Sequence, residues 1–446
     1  MPQSRPHDTP TAVARALARW APRRIGSLLE PAAGVGALLG PLHGRLSNAR
    51  VACVEVDGQA VRFLRRTIAN RSAGLPPATR VHHGDFLGAN VRSTLLAEQP
   101  EGFDCICMNP PFFGRGFPSQ RVRSTRLGLH GVALPLEALF VVRALEHLRP
   151  GGRLLAIFPA SVIGGDTTSA LRSAMTSVGS FRAVHELPVY TFPGVDAAVF
   201  LVVYDLGVRT QRVTLLNHRL TRPDRLTVDA GSIEAGARLD YEFHAARSGY
   251  SALIDAWPEL AWSPLSLHAS VLRGSRRGGR AHKAVLHSAH TDGPVWRRPS
   301  AQGLDGRHEG GIAANDLLMA RVHRSAAETV GMLGQAAPVP WSDCVYRIRP
   351  KRPQRATAIF FSTRVVLTQP EFGPLIMRGS GAKYVARDDL LALRIPVALA
   401  DHHTREFGLW REALARRDIA GMREIETTVQ AALCARLLPT VSRNPK

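Results

Sequence analysis

The fold is decided by residues 25–36, which read IGSLLEPAAGVG. A short, mostly apolar run from Ile25 to Leu29 ends at Glu30, and a turn of small residues containing Gly34 and Gly36 follows. An apolar segment comes next, so the order is strand, small-residue turn, helix. Such a turn lets the backbone approach a ligand closely, but it is equally typical of a tight connection that binds nothing.

Acidic residues at the ends of the next two strands favour a nucleotide-type ligand. The second strand, Arg50 to Val56, carries Glu55 near its end. In nucleotide-binding βαβ units an acidic side chain about 20 residues after the glycine turn accepts the ribose hydroxyls. The third strand leads to Asp85 and Phe86, where a carboxylate can accept an exocyclic amine and a ring can line a purine. Three strand ends in this order predict a Rossmann-like α/β domain.

The fourth strand, Phe103 to Met108, runs directly into Asn109, Pro110, Pro111 and Phe112. With this motif the chain resembles the S-adenosylmethionine-dependent amino-methyltransferases, and in detail the gamma-type, TaqI-like N6-adenine DNA methyltransferases. The resemblance covers Thr9 to about Tyr204 and rests on five motifs in the family's order, namely Thr9-Pro10, Leu29 to Gly34, Glu55, Gly84 to Phe86 and Asn109 to Phe112.

The resemblance implies a fold and a cofactor. Residues 1–245 are expected to form a class I S-adenosylmethionine-dependent methyltransferase domain with a seven-stranded mixed sheet. The cofactor is expected to be S-adenosyl-L-methionine, and neither a metal nor a covalent intermediate is required. The residues expected to bind the cofactor are Thr9, Glu30, Pro31, Ala32, Gly34, Gly36, Glu55, Asp85 and Phe86.

The catalytic residues implied by the resemblance are Asn109, Pro110, Pro111 and Phe112. An exocyclic amine of adenine is a poor nucleophile because its lone pair is delocalised into the ring. The side-chain oxygen of Asn109 and the carbonyl of Pro110 can each accept one N–H, and the prolines fix the backbone that aims them. A base in a duplex must be flipped out to reach such a site. Phe112 is the first expected stacking partner and Phe192 the second, with ordinary core packing as the alternative for Phe192.

The charge of the chain favours a polyanionic partner. Lys and Arg number 57 against 36 Asp and Glu, which gives a net charge of +21 and a pI near 11.1. Nucleic acid is the first candidate, and the resemblance implies double-stranded DNA. Residues 113–131 form a basic segment after the Asn-Pro-Pro-Phe motif, and Arg115 and Arg121 within it are expected to contact the substrate. A solvated surface loop is the alternative for each of these arginines.

The C-terminal half is expected to recognise the target sequence. A linker is predicted at residues 246–265, and residues 266–446 are predicted to form an α+β target-recognition domain. The segment from Gly379 to Pro396 resembles the end of such domains in TaqI-like methyltransferases and in restriction-modification specificity subunits. Arg378, Lys383 and Tyr384 are the residues predicted to contact DNA there.

The predicted function is site-specific transfer of a methyl group to N6 of a flipped-out adenine in DNA, in a restriction-modification or related context with a separately encoded restriction endonuclease as a candidate partner. Alternatives are cytosine N4, RNA or protein glutamine as the acceptor, and a DNA-binding protein that has lost turnover. A cytosine-C5 enzyme is disfavoured because the sequence contains no Pro-Cys pair.

Five cysteines without a CxxC pair argue against a disulfide framework or zinc site and favour a reducing cytoplasm. No apolar run approaches the roughly 20 residues needed to span a bilayer, so no membrane partner is expected.

Overall fold

The computed structural model describes residues 9–70, 75–76, 78–112, 118–188, 190–193, 198–218, 224–233, 235–275, 285–297, 311–323, 325–333, 339–379 and 383–437. The chain divides into two compact units, Met1–His244 and Ala245–Lys446. Arg115, and residues 380–382 of the segment from Gly379 to Pro396, lie outside the described residues.

The first unit alternates strands and helices along most of its length. Its elements in chain order are α1 (Thr11–Ala18), β1 (Ser27–Pro31), β2 (Arg50–Glu55), α2 (Gly58–Ala69), β3 (Thr79–His83), α3 (Ala89–Glu98), β4 (Phe103–Met108), β5 (Gln120–Ser124), β6 (Leu129–Leu134), α4 (Leu136–His147), β7 (Leu148–Pro159), α5 (Ala160–Gly164), α6 (Ser169–Val178), β8 (Gly179–Glu186), β9 (Val199–Leu206), β10 (Arg212–Asn217), β11 (Asp224–Asp229) and α7 (Tyr241–Ala256), which crosses into the second unit.

Within the described part of this unit, nine strands form one mixed sheet in the order β11-β10-β8-β9-β7-β4-β1-β2-β3. Strands β3, β2, β1, β4 and β7 are mutually parallel, and β9 lies antiparallel between β7 and β8. This is the Rossmann-like α/β fold of class I S-adenosylmethionine-dependent methyltransferases, as predicted. The predicted count of seven strands is too low, because β10 pairs with β8 and forms a hairpin with β11 that extends the sheet.

Helices cover both faces of the sheet, which is why most residues of its central strands are apolar. All five residues of β1 are buried. One face packs against α1 and α2, and the other packs against α3, α4 and α6. In such sheets ligands bind outside the carboxyl ends of the strands, because there the loops between strands and helices are left uncovered.

The second unit has an α+β arrangement. Its remaining elements are β12 (Trp262–Pro264), α8 (Leu265–His268), β13 (Ala269–Arg273), β14 (Thr291–Asp292), β15 (Val295–Trp296), β16 (Leu317–Ala320), β17 (Gly331–Met332), β18 (Val345–Pro350), α9 (Ala356–Leu367), β19 (Met377–Arg378), β20 (Tyr384–Val385), α10 (Arg387–Ala392), β21 (Arg394–Pro396), α11 (Leu399–His402), α12 (Thr404–Arg416) and α13 (Ile419–Ala435). Among its described residues, six strands form a sheet in the order β13-β18-β16-β17-β15-β14. Its core combines this sheet with α9, α12 and α13.

The segment predicted to be a linker, residues 246–265, is instead folded. Helix α7 continues to Ala256, and its side chains Tyr250 and Leu253 are buried in the core of the second unit together with Trp262 and Leu265. Tyr250 and Leu253 stand three residues apart, so they share one face of the helix. The structure thus replaces the predicted linker with a helix and a short strand that belong to the second core.

Candidate active site

The turn after β1 is held in an uncommon backbone conformation. Ala32, Gly34 and Gly36 all have positive φ angles, of 59°, 53° and 81°. Such a conformation is unfavourable for alanine and persists only where its surroundings impose it. The N–H of Ala33 donates to the carbonyl of Val54 at 2.9 Å, which ties the turn to the end of the neighbouring strand. A Cβ built on Gly34 meets no atom within 4 Å, so open space lies beside this turn.

Glu55 joins the ends of β1 and β2. Its Oε2 accepts the N–H of Gly34 at 2.7 Å, and its Oε1 accepts the N–H of Asp57 at 2.8 Å. The side chain is buried. Each carboxylate oxygen has two acceptor positions, so both oxygens can still accept a further hydrogen bond. The structure thus gives Glu55 a role in shaping the glycine turn in addition to the predicted contact with ribose hydroxyls.

Glu30 is the least solvated carboxylate of this region. It is 1% exposed at the end of β1, and its Oε2 is buried without a hydrogen-bond partner among the described residues. Burial raises the pKa of Glu30 well above its usual range; a bond from the backbone of Leu38 lowers it, and the charge of Glu55 raises it further. A buried acceptor without a partner fits a cationic group beside the glycine turn.

Asn109 is fixed at the end of β4 with one side of its amide in use. Its Nδ2 donates to the Oγ1 of Thr9 at 3.0 Å. Its Oδ1 is buried and has no partner in the described part of the chain. Pro110 is buried and Pro111 is half-buried, so the backbone that carries Asn109 is restrained. The structure brings together Thr9 and Asn109, which are 100 residues apart, and leaves an oriented acceptor at the carboxyl edge of the sheet.

The two residues after β3 have different surroundings. Asp85 is exposed, and its Oδ1 accepts the N–H of Leu87 at 2.9 Å. Phe86 is 2% exposed and packs on Phe140 with ring centroids 5.3 Å apart. The ring of Phe86 therefore belongs to the core between the sheet and α4, which corrects the prediction that it lines a purine. Asp85 is free to contact a ligand with its other oxygen.

The two aromatic residues expected to stack on a base also differ. Phe112 is half-buried at the rim of the core cluster that contains α1, and Phe192 is 2% exposed inside the same cluster. In this structure Phe192 is a core side chain, which agrees with the alternative of ordinary core packing rather than with stacking on a base. Tyr190, two residues earlier, is 70% exposed with a φ of 66° and is an aromatic residue that the sequence analysis passed over.

A second side chain that sequence reasoning missed is Val56. It is 68% exposed, although it directly follows the buried Glu55 at the end of β2. An apolar surface beside carboxylates fits the flat face of an adenine, whose edge is polar. The signal in the sequence was the apolar residue after the acidic one, but strand alternation does not tell whether such a residue faces the core or the solvent.

The basic residues are distributed over both units. Arg121 is exposed on β5 and donates to the carbonyl of Gly131 on β6 at 3.0 Å. In the second unit Arg378 forms two bonds of 2.7 Å to Asp389, so its guanidinium is already engaged. Arg321 lies over the ring of Tyr384 with 5.8 Å to the centroid, whereas Lys383 is exposed. The ion pair of Arg378 argues against its predicted role in contacting bases.

Neither candidate metal sites nor membrane-spanning helices are present among the described residues. Its residues include no cluster of three or more His, Cys, Asp or Glu side chains suited to a metal ion. No described helix combines the length and apolar character required to cross a membrane.

No family model matches the chain. Individual proteins match parts of the chain. The chain is 30% identical over 146 residues to a tRNA1(Val) (adenine(37)-N6)-methyltransferase from Shewanella putrefaciens, and this covers 32% of the chain. It is 28% identical over 185 residues to the type II methyltransferase M.TthHB8I of Thermus thermophilus, covering 39% of the chain. The aligned part of this chain is thus similar in sequence to methyltransferases.

These similarities are partial. The chain spans 57% of the length of the tRNA methyltransferase and 39% of the type II methyltransferase. Among solved structures, the methyltransferase subunit of a type I restriction-modification system from Streptococcus thermophilus superposes with a TM-score of 0.40 at 18% identity, over 47% of each chain. For a domain of this fold, S-adenosylmethionine is the expected cofactor, and Glu30, Gly34, Glu55 and Val56 offer acceptors, open space and an apolar face suited to it.

Proposed function

We propose that this chain is an S-adenosylmethionine-dependent methyltransferase that methylates N6 of a flipped-out adenine in double-stranded DNA. The observation that supports this function best is the amide of Asn109, with its nitrogen bonded to Thr9 and its buried oxygen without a partner. A buried unsatisfied acceptor costs about 1–3 kcal/mol. Such a cost is retained where the acceptor serves a ligand, and an exocyclic amine supplies the N–H donor that this oxygen lacks.

The residues at the carboxyl edge of the sheet have separate roles. S-adenosylmethionine supplies an electrophilic methyl group when it is bound. Asn109 accepts one N–H of the target amine and the carbonyl of Pro110 accepts the other, which keeps the nitrogen lone pair directed away from the ring. Phe112 offers its exposed face for stacking on the flipped base. Most of the rate enhancement comes from this positioning.

The cofactor side of the site is formed by the glycine turn. Glu30 offers its unpartnered oxygen to the cationic part of the cofactor. Glu55 holds the turn and accepts hydroxyl groups, while Asp85 accepts an amine at the far end. Val56 contacts the face of the base. The remaining residues of the predicted set, Pro31, Ala32 and Gly36, contribute backbone shape rather than side-chain contacts.

The choice of DNA rests on charge and on the second unit. A net charge of +21 in 446 residues requires a polyanionic partner or a large number of counterions. We assign target recognition to the second unit, with Lys383 and Tyr384 as candidate contacts. M.TthHB8I is named a type II methyltransferase. This name favours a restriction-modification context, in which a restriction endonuclease is encoded separately.

A second candidate substrate is tRNA. The Shewanella relative is named an adenine-N6 methyltransferase of tRNA, and it is 30% identical to this chain over 146 residues. The same two acceptors serve an adenine in either nucleic acid. Only the polymer that carries the base differs between the two candidates.

The experiment is methyl transfer from labelled S-adenosylmethionine to unmethylated DNA and, separately, to total tRNA, followed by nucleoside analysis. We expect N6-methyladenine in DNA, lost in Asn109→Ala. Label only in tRNA would overturn the DNA assignment and keep the chemistry, and N4-methylcytosine would overturn adenine as the acceptor. If neither polymer is labelled while the protein is stabilised by S-adenosylmethionine, turnover itself is refuted.

A further inference from the structure

A cavity of about 500 Å³ lies in the first unit, and its lining includes none of the residues assigned above to catalysis. It is bounded by β5 and the turn that follows it, by α3, and by α4 from Leu139 to Glu146. Five arginines line it together with a single carboxylate, Glu146; they are Arg92, Arg121, Arg123, Arg126 and Arg143. One carboxylate cannot neutralise five guanidinium groups, so the cavity carries an excess of positive charge.

The carboxylate of Glu146 is also a poor hydrogen-bond acceptor for these arginines. Its Oε2 lies 3.6 Å from Nη2 of Arg92 and 3.5 Å from Nη1 of Arg143, which is too long for strong hydrogen bonds. Nη1 of Arg143 is buried without a hydrogen-bond acceptor in the described part of the chain. Arg126 donates to the main-chain carbonyl of Glu146 at 3.1 Å. The cavity therefore holds more N–H donors than the protein supplies acceptors for them.

Burial and the surrounding positive charges lower pKa values in and beside the cavity. Burial lowers the pKa of Arg126 and of Arg143. Burial, followed by the charges of Arg143, Arg92 and Arg126, lowers the pKa of His147 to about 4. Positive charge is thus disfavoured in and beside the cavity, and a bound anion would relieve that cost.

We propose that this cavity binds consecutive phosphates of a DNA strand, beside the segment that carries the target base. The inference rests on the proposed function, because the cavity would bind the backbone of the same DNA substrate. Arginine recognises phosphate through two parallel N–H bonds, which suits a site rich in unused donors.

The dimensions of the cavity favour a polymer over a single ion. It extends along α4 from Leu139 to Glu146, which is about 10 Å at the rise of an α-helix. One DNA strand advances about 3.4 Å along the axis for each phosphate, so two or three neighbouring phosphates fit this length. The hairpin of β5 and β6 is formed by residues 120–134, shortly after the Asn109 to Phe112 motif in the chain.

The test uses the full chain with Arg121→Gln and Arg123→Gln combined, since both side chains are exposed and neither substitution uncovers Glu146. Binding of a short synthetic DNA duplex is measured at several salt concentrations. We expect the slope of log Kd against log salt to fall by about 2 and the affinity to weaken about tenfold. Stabilisation by S-adenosylmethionine should equal that of the wild type.

The matched control combines Arg23→Gln and Arg24→Gln, which remove the same charge from two exposed arginines in the segment before β1. These lie near the amino ends of the strands, and their loss should leave the salt slope unchanged. An unchanged slope in the cavity variant, or an equal change in the control, would overturn the proposal.

Inorganic triphosphate distinguishes a free ligand from the DNA backbone. If wild-type protein binds triphosphate, the cavity variant loses that binding and DNA affinity is unaltered, the site serves a free polyphosphate and the DNA assignment is wrong. Failure of the proposed function is a separate result, because it appears in the wild type alone as the absence of methyl transfer.

Discussion

Two buried polar groupings in this chain are built in opposite ways. In the second unit Arg364 and Glu426 form an ion pair with N–O distances of 2.5 and 2.8 Å, both side chains are at most 2% exposed, and Trp410 donates a further bond to Glu426. In the first unit Asn109 and Glu30 each bury an oxygen that has no partner among the described residues. The first grouping satisfies itself and stabilises a core, whereas the second is incomplete until a ligand supplies donors.

The difference indicates which charged and polar residues are available for function. Arg378 resembles Arg364, because it is consumed by two bonds to Asp389. The arginines around Glu146 resemble Asn109, because their donors exceed the acceptors near them. The residue type alone does not distinguish a satisfied polar side chain from an unsatisfied one, whereas the hydrogen-bond partners around it do.

The largest effect is expected from breaking the satisfied pair. Arg364→Met leaves the carboxylate of Glu426 buried without a counter-charge, which should lower the free energy of unfolding by about 3–5 kcal/mol. Tryptophan emission during urea unfolding measures it, because five of the six tryptophans lie in the second unit.

The control for this variant is Arg423→Met on α13. Arg423 pairs with Glu328 at 3.1 Å, and both side chains are more than half exposed. A change of about 0.5 kcal/mol or less is expected for this exposed pair. Equal destabilisation by both variants would show that burial does not distinguish the two ion pairs.

Substitution of Asn109 should lower activity and leave stability almost unchanged, which is the opposite of the result expected for Arg364→Met. Asn109→Ala is expected to lower the methylation rate by about 10²–10³-fold, the scale for removing a group that stabilises the reacting atoms. Its free energy of unfolding should change by about 1 kcal/mol or less, because only the bond from Nδ2 to Thr9 is lost and Oδ1 has no protein partner to lose.

Single-turnover kinetics and urea unfolding measure the two quantities in the same preparation of Asn109→Ala. Asn90→Ala, at an exposed position of α3, should leave both at wild-type values. A loss of stability in Asn109→Ala that matches the loss of rate would make Asn109 a structural residue.

A smaller effect is expected at Thr9. Thr9→Val removes the acceptor of the Asn109 amide nitrogen, so the amide loses its fixed orientation while its oxygen is retained. We expect kcat to fall about fivefold to tenfold, the value of one hydrogen bond, with KM for DNA nearly unchanged. Thr9→Ser keeps the hydroxyl and should restore the rate; if it does not, the methyl group of Thr9 matters more than its bond to Asn109.

The smallest effect is a pH dependence at Glu30. Because its pKa in the folded protein is raised above the ordinary 4.5, the folded state binds the proton more tightly than the unfolded chain. The stability that this provides is complete below the unfolded pKa and is lost as pH rises through the folded pKa. The amide side chain in Glu30→Gln does not titrate. The free energy of unfolding of this variant should therefore fall less than that of the wild type as pH rises over that range.

Denaturant titrations of wild type and Glu30→Gln across this pH range measure the difference. S-adenosylmethionine should reduce the pH dependence of the wild type, because a bound cation favours the ionised carboxylate. Identical pH profiles for the two proteins would mean that Glu30 is not the group held in its protonated form.

The local patterns of the sequence determined the fold class and the edge of the sheet where the site lies. The run from Leu29 to Gly36 predicts a strand, a turn and a change of direction, because glycine and small residues are required where φ is positive. The Asn109 to Phe112 motif follows a buried strand, so its place at a carboxyl edge follows from chain order. These features depend on residues close together in sequence, and for that reason they could be predicted.

Only the tertiary structure decided which side chains keep a partner. Phe86 and Phe192 stand beside functional positions in the sequence, yet packing against distant helices and strands buries both. The bonds of Arg378 to Asp389 and of Asn109 to Thr9, the core that absorbs residues 246–265, and the arginines gathered around Glu146 likewise join segments separated in sequence. Burial and the pairing of charges are sums over neighbours in space, and one-dimensional periodicity carries no record of those neighbours.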